Sequence, residues 1–153
     1  MEKLPEVEAA KALMTEAMTW SVMKWLREKK RVRRTADRAN ALLDQLSQSV
    51  HSRWPDGVRA AYGALGAPAP GGRQTRSPQK PPSPDPEAKL IAKKVKDADD
   101  EAYRARMDAE RTFDEAERQL STRLAREGCR KALQGWELHE KAIRKAEAVI
   151  HPN

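Results

Sequence analysis

Residues 18–50 read MTWSVMKWLREKKRVRRTADRANALLDQLSQSV, and the spacing of their apolar side chains decides the fold class. Met18, Val22, Trp25, Lys29, Val32, Ala36, Ala39, Leu43, Leu46 and Val50 follow one another in alternating steps of four and three. Side chains that return every 3.5 residues stay on one face of a helix, so the stretch predicts a helix with a continuous packing seam of the coiled-coil kind. Lys29 is the only polar member of that seam, a residue of the sort that sets register or oligomer state.

The same stretch is strongly basic. Between Lys24 and Arg38, eight Lys or Arg residues stand against Glu28 and Asp37. In the register of the seam, Lys24, Arg27, Lys30, Arg31, Arg34 and Arg38 fall on the outer face, and Trp20 falls in line with Arg27 and Arg34. Trp25 is therefore expected to face inward and Trp20 outward. These seven residues are the candidate polyanion-binding set. Such a face suits phosphate contact with non-specific nucleic acid or attachment to an anionic membrane surface. The apolar seam runs through the basic block, so the block is packed rather than free to fork into a major groove. That argues against sequence-specific DNA reading. A plain solvated surface is the bland alternative.

Outward from this stretch, residues 6–53 contain neither Gly nor Pro, and Pro5 stands where a first-turn proline is tolerated. The segment could run as one long helix, on the order of 70 Å at about 1.5 Å per residue, a length that points to a coiled coil or to a helix folded back on itself. WPDG at 54–57 ends it, and a short helix follows over VRAAYGAL. Residues 66–86 concentrate most of the ten prolines, with Gly71 and Gly72 among them, and read as an extended linker with PxxP spacings at Pro78–Pro81 and Pro81–Pro84. Three segments result: 1–65, the linker 66–86, and 87–153, a second long helical segment.

The last segment carries two more seams. Ile91, Val95, Ala98, Ala102, Ala105, Ala109, Thr112 and Ala116 form one; Ala125, Cys129, Ala132, Trp136, His139, Ile143, Ala146 and Ile150 form the other. They are out of phase and joined through Leu120 and Leu124, so the chain either unwinds locally or turns near Ser121 or Gly128. Acid-then-base pairs at i,i+4 (Asp100–Arg104, Asp114–Arg118, Glu127–Lys131, Glu137–Lys141, Glu140–Arg144) support helix on the exposed faces. Asp97, Asp99, Asp100 and Glu101 form an acidic cluster able to meet the basic face of another copy.

Composition agrees. Ala, Glu, Lys, Leu and Arg supply 80 of 153 residues, and only seven side chains are aromatic. The formal charge is +7. One cysteine excludes an intrachain disulfide and a cysteine-cluster metal site. The acidic residues among the first 18 do not form a secretory signal, and no uncharged run approaches the roughly 18 residues of a spanning helix, so a cytoplasmic protein, peripheral to a membrane at most, is expected.

No catalytic signature emerges. LHEKAI at 138–143 begins like a zinc-protease helix, but Ile143 occupies the second histidine position. His51, His139 and His151 are not grouped by spacing, and Cys129 is read as a packed hydrophobe despite Arg126, Arg130 and Lys131 nearby. The expectation is an all-α chain of long helices in a hairpin, coiled coil or small bundle, without cofactor, metal or small-molecule substrate. It would act as a non-enzymatic interaction or scaffold protein that self-associates through its seams, including Met18, Val22, Trp25, Val32, Leu43, Leu46 and Val50. Polyanion binding through residues 20–38 is the alternative.

Overall fold

The computed structural model describes residues 4–65 and 86–150. The linker reading, including both PxxP spacings, lies outside the described residues except at Pro86. Among the described residues the chain is an all-α bundle: α1 Pro5–Ala17, α2 Val22–His51, α3 Asp56–Leu65, α4 Pro86–Gln119 and α5 Thr122–Ile150.

Residues 6–53 form two helices rather than one. Pro5 starts α1 at the position where its missing N–H costs nothing. The helix ends at Ala17, and the Thr19 and Trp20 amides donate back to Glu16 and Ala17 in tight turns. Ser21 then caps α2, its hydroxyl accepting from the Lys24 amide at 3.2 Å, while the Val22 amide donates to Thr122 Oγ1 at 2.9 Å. The break has a packing reason. Val7, Ala10, Leu13, Met14 and Ala17 of α1 join the same core as the α2 seam only because the chain turns between them.

The second half is a tight helical hairpin. The turn comes at Leu120–Ser121, and α5 runs without interruption through Gly128 and Gly135. Leu120 has φ 51, and the Ser121 amide donates to Ala116 O at 3.1 Å, the left-handed helix stop that glycine usually provides. Leu120 is correspondingly exposed and does not bridge the two seams as expected. Ser121 then caps α5 by accepting from the Leu124 amide at 3.1 Å.

Small residues set the spacing of α4 and α5. A Cβ placed on Gly135 would meet Ala105 and the Arg106 backbone at ordinary contact distances, 3.5 Å and beyond. One placed on Gly128 would come within 2.6 Å of the Phe113 ring. That ring stacks on Trp25 of α2, centroids 5.4 Å apart, so it has little freedom to move aside. Helix α2 lies on this hairpin mainly against α5, with α1 packed on α2 and α5, and α3 on α4. Trp54, at the corner between α2 and α3, is buried and donates its Nε1–H to Ala146 O at 2.9 Å, pinning that corner to α5.

The seams hold, and their burial is internal to one chain. Val22, Trp25, Val32, Ala39, Leu43 and Val50 are buried, and Met18, Ala36 and Leu46 pack partly buried against them. The i,i+4 pairs expected in the second half are not the ones formed among the described residues. Lys93–Asp97 and Lys96–Asp100 run base-first, Asp114 reaches Arg33, and Lys131 turns to Asp108. Glu140, buried, pairs with Lys11 of α1 at 2.5 Å. Helix neighbours in a bundle offer carboxylates and cations that an isolated helix lacks, and those partners win.

The two α5 glycines should respond oppositely to alanine. Gly135→Ala fits the space and should stabilise the fold by up to about 1 kcal/mol through helix propensity. Gly128→Ala drives Phe113 against Trp25 and should destabilise by about 1–3 kcal/mol. Urea midpoints of the two variants compare them directly; a shift of the same sign in both would contradict the packing described.

Candidate binding surfaces

Six of the seven candidate polyanion-binding residues stand where the heptad register puts them. Lys24, Arg27, Lys30, Arg31, Arg34 and Arg38 are exposed along the outer face of α2. Arg31 is held by Glu28 at 2.9 Å, and Arg38 lies 3.7 Å from Glu6 of α1. Arg27, Lys30 and Arg34 form no ion pair among the described residues.

Trp20 is the exception. It is only 4% exposed, because it precedes the Ser21 cap and lies in the turn rather than on the helix whose register was extended to it. Lys24 sits over its ring, 5.0 Å from the centroid, and Arg126 of α5 donates to its carbonyl at 3.1 Å. Both tryptophans of the opening stretch therefore face inward.

Lys29, the polar seam residue, makes a clasp within the chain. It pairs with Glu117 of α4 at 2.7 Å, and Arg33 reaches the same carboxylate at 2.9 Å and Asp114 at 3.0 Å. Further along, Arg106 reaches Asp44 at 3.3 Å, and His51 faces Asp99 at 3.9 Å. The partners rise in number on α2 as they fall on α4, so the two helices run antiparallel.

Between these contacts α2 and α4 stand apart over α5, leaving a cleft of about 420 Å³. Its floor is apolar and includes Ala102, Ala109, Gly135 and Trp136, where small side chains leave the room. Trp136 donates its Nε1–H to the buried Asn40 Oδ1 at 2.9 Å, which satisfies both groups. At one end His51 stacks on Trp54 at 4.3 Å and meets the edge of Tyr62 at 4.9 Å, while the Tyr62 hydroxyl donates to Asp99. The acidic cluster expected on α4 is thus divided: Asp99 belongs to the cleft, while Asp97 and Asp100 are taken by Lys93 and Lys96.

The cleft also joins two histidines that sequence spacing does not group. His51 and His139 both line it, and burial holds both rings below the ordinary histidine value. Asp99 opposes that shift at His51, as do Asp44 and Asp99 at His139, without overcoming it. Two buried donors at the cleft, Arg106 Nε and His51 Nε2, have no hydrogen-bond partner among the described residues. No group of three or more His, Cys, Asp or Glu side chains among the described residues is arranged to hold a metal ion.

Cys129 is buried, and burial alone pushes its thiol up to about 12. The cations beside it in sequence are engaged elsewhere: Arg126 with the Trp20 carbonyl, Arg130 with Glu127, Lys131 with Asp108. No helix among the described residues is long and apolar enough to cross a membrane.

The histidines generate a pH dependence with a definite sign. In the unfolded chain they titrate near 6.5, whereas the folded chain holds them lower. As pH falls, the unfolded state therefore takes up protons first, and stability that is intact above 6.5 is lost below it. The urea midpoint should drop between about pH 7.5 and about pH 5.5, before most carboxylates titrate, and His51→Gln with His139→Gln should remove most of that drop. An equal drop in the double variant would mean other groups carry it.

No known protein family, curated protein or solved structure matches this chain.

Proposed function

We propose that this chain is a non-enzymatic helical interaction protein whose working surface is the basic outer face of α2, and that this face takes polyanions. The observation that carries the reading is the unpaired stripe of Arg27, Lys30 and Arg34, flanked by Lys24, Arg31 and Arg38, on a helix whose opposite face carries the buried seam. Cations held in a row on a rigid helix neutralise phosphates without needing to read bases. Nucleic acid is favoured over a membrane surface. A helix lying in lipid buries an apolar flank, and with Trp20 and Trp25 both in the core this face offers no aromatic anchor. A cytoplasmic site of action fits the single unpaired thiol.

A self-associating scaffold is the second reading. The coiled-coil seams that suggested it are spent within the chain, so association would use other surfaces. Met23, Leu90, Tyr103 and Leu120, each more than half exposed, are the large apolar side chains that favour it.

Fluorescence anisotropy with a labelled single-stranded oligonucleotide tests the first reading. The wild-type affinity should fall steeply with salt. Replacing Arg27, Lys30 and Arg34 with Gln should weaken binding at least about tenfold and flatten the log–log salt slope by about 2, at unchanged helicity. Binding that ignores the three changes would sink the reading. Sedimentation of the wild type over a concentration series tests the second: a monomer throughout excludes it.

A further inference from the structure

The α2–α4 cleft has a charge pattern that the rest of this basic protein does not share. Its lining carries Asp37, Asp44, Asp99 and Glu110 against two arginines, Arg33 and Arg106. Arg33 is already held by Asp114 and Glu117, and Arg106 spends its charge on Asp44. The middle of the cleft is therefore electrically quiet: an Arg106–Asp44 pair, a satisfied Trp136–Asn40 contact, and neutral histidines over an apolar floor.

Its two ends are not quiet. Asp37 on α2 and Glu110 on α4 have no ion-pair partner among the described residues. The antiparallel register, with Arg33 opposite Asp114 and Asp44 opposite Arg106, brings them to the same end. At the other end, among the described residues, Asp99 accepts the Tyr62 hydroxyl and faces His51. Eleven residues of α4 separate Asp99 from Glu110, roughly 16 Å along the helix at about 1.5 Å per residue. Carboxylates at the ends of a walled cleft focus negative potential there. Tyr103, exposed and placed between them on α4, adds the attraction of an aromatic ring for cations. The volume of about 420 Å³ lies within the range of small-molecule sites.

We propose that this cleft binds a linear organic dication, with one protonated amine held between Asp37 and Glu110, the other at Asp99, and an aliphatic chain lying on the floor formed by Ala102, Ala109 and Trp136. The site is separate from the basic face of α2 and does not depend on it.

Titration calorimetry of the full chain with 1,12-diaminododecane as probe tests the proposal. One-to-one binding is expected, and two wild-type controls define its cause. Dodecylamine lacks the second charge and 1,4-diaminobutane lacks the span, so each should bind at least about tenfold more weakly. Asp37 and Glu110 are exposed and unpaired, so Asp37→Asn with Glu110→Gln should keep the melting temperature and lose at least about tenfold in affinity for the long diamine. Lys145→Gln, exposed on α5 and outside the cleft lining, should leave the affinity for the long diamine unchanged. The proposal is overturned by the absence of binding, by equal affinity for either control amine, or by a folded double variant that binds like wild type. The comparison of amines uses only the wild-type chain, so it decides the question even if the double variant unfolds.

Discussion

The bundle depends on a missing side chain. Where Gly128 carries no Cβ, the Phe113 ring fills the space, and that ring also stacks on Trp25. One contact thus ties α5 to α4 and α4 to α2, and the largest fully buried side chain of the core is the one it positions. Helices separated only by glycine and alanine gain close backbone packing but bury modest apolar area. The few aromatics must then serve as wedges between helices, and Phe113 (α4, against Gly128 and Trp25) and Trp54 (against α5, His51 and Tyr62) each join three of them.

That arrangement also explains why the α2–α4 cleft exists. Helix α2 is tied to α5 by the Trp136–Asn40 hydrogen bond and held to α4 by charged clasps at Glu117 and Asp44, with alanines rather than leucines in the space between. A fourth row of large apolar residues would have closed the gap. Instead the walls carry polar groups that find partners across it, Asn40 with Trp136 and Tyr62 with Asp99, while Arg106 Nε and His51 Nε2 stay without one among the described residues. The polar groups at the ends face outward, which is why the cleft and the outer face of α2 present opposite charge on one small protein.

How much of this was legible depended on whether a pattern is local. The seams were legible because each needs only the 3.5-residue period along one helix, and Val22, Trp25, Val32, Leu43 and Val50 are buried accordingly. The orientation of Trp20 was not, since the period was carried back across a turn. Ser21, a good N-cap residue directly before an apolar position, was the signal that the helix restarts there. Ser121 gives the same signal, and it lies at one of the two places where the shift between the seams left a turn open. The cleft was beyond reach: Asp44, Asp99 and His139 come from three helices, and only the antiparallel register of α2 and α4 brings them together. The i,i+4 pairs failed for a related reason, because Asp114 and Glu140 had better partners on other helices.

The lone thiol follows from the same packing. Cys129 lies one residue beyond Gly128, wholly buried, and its burial keeps it in the unreactive thiol form at any ordinary pH. In the closed bundle it is chemically silent. A modifying reagent reaches it only when α5 parts from its neighbours, so the rate of its reaction counts those openings rather than the chemistry of sulfur. The chain carries, at the place where its helices are pressed closest, an internal clock of its own breathing.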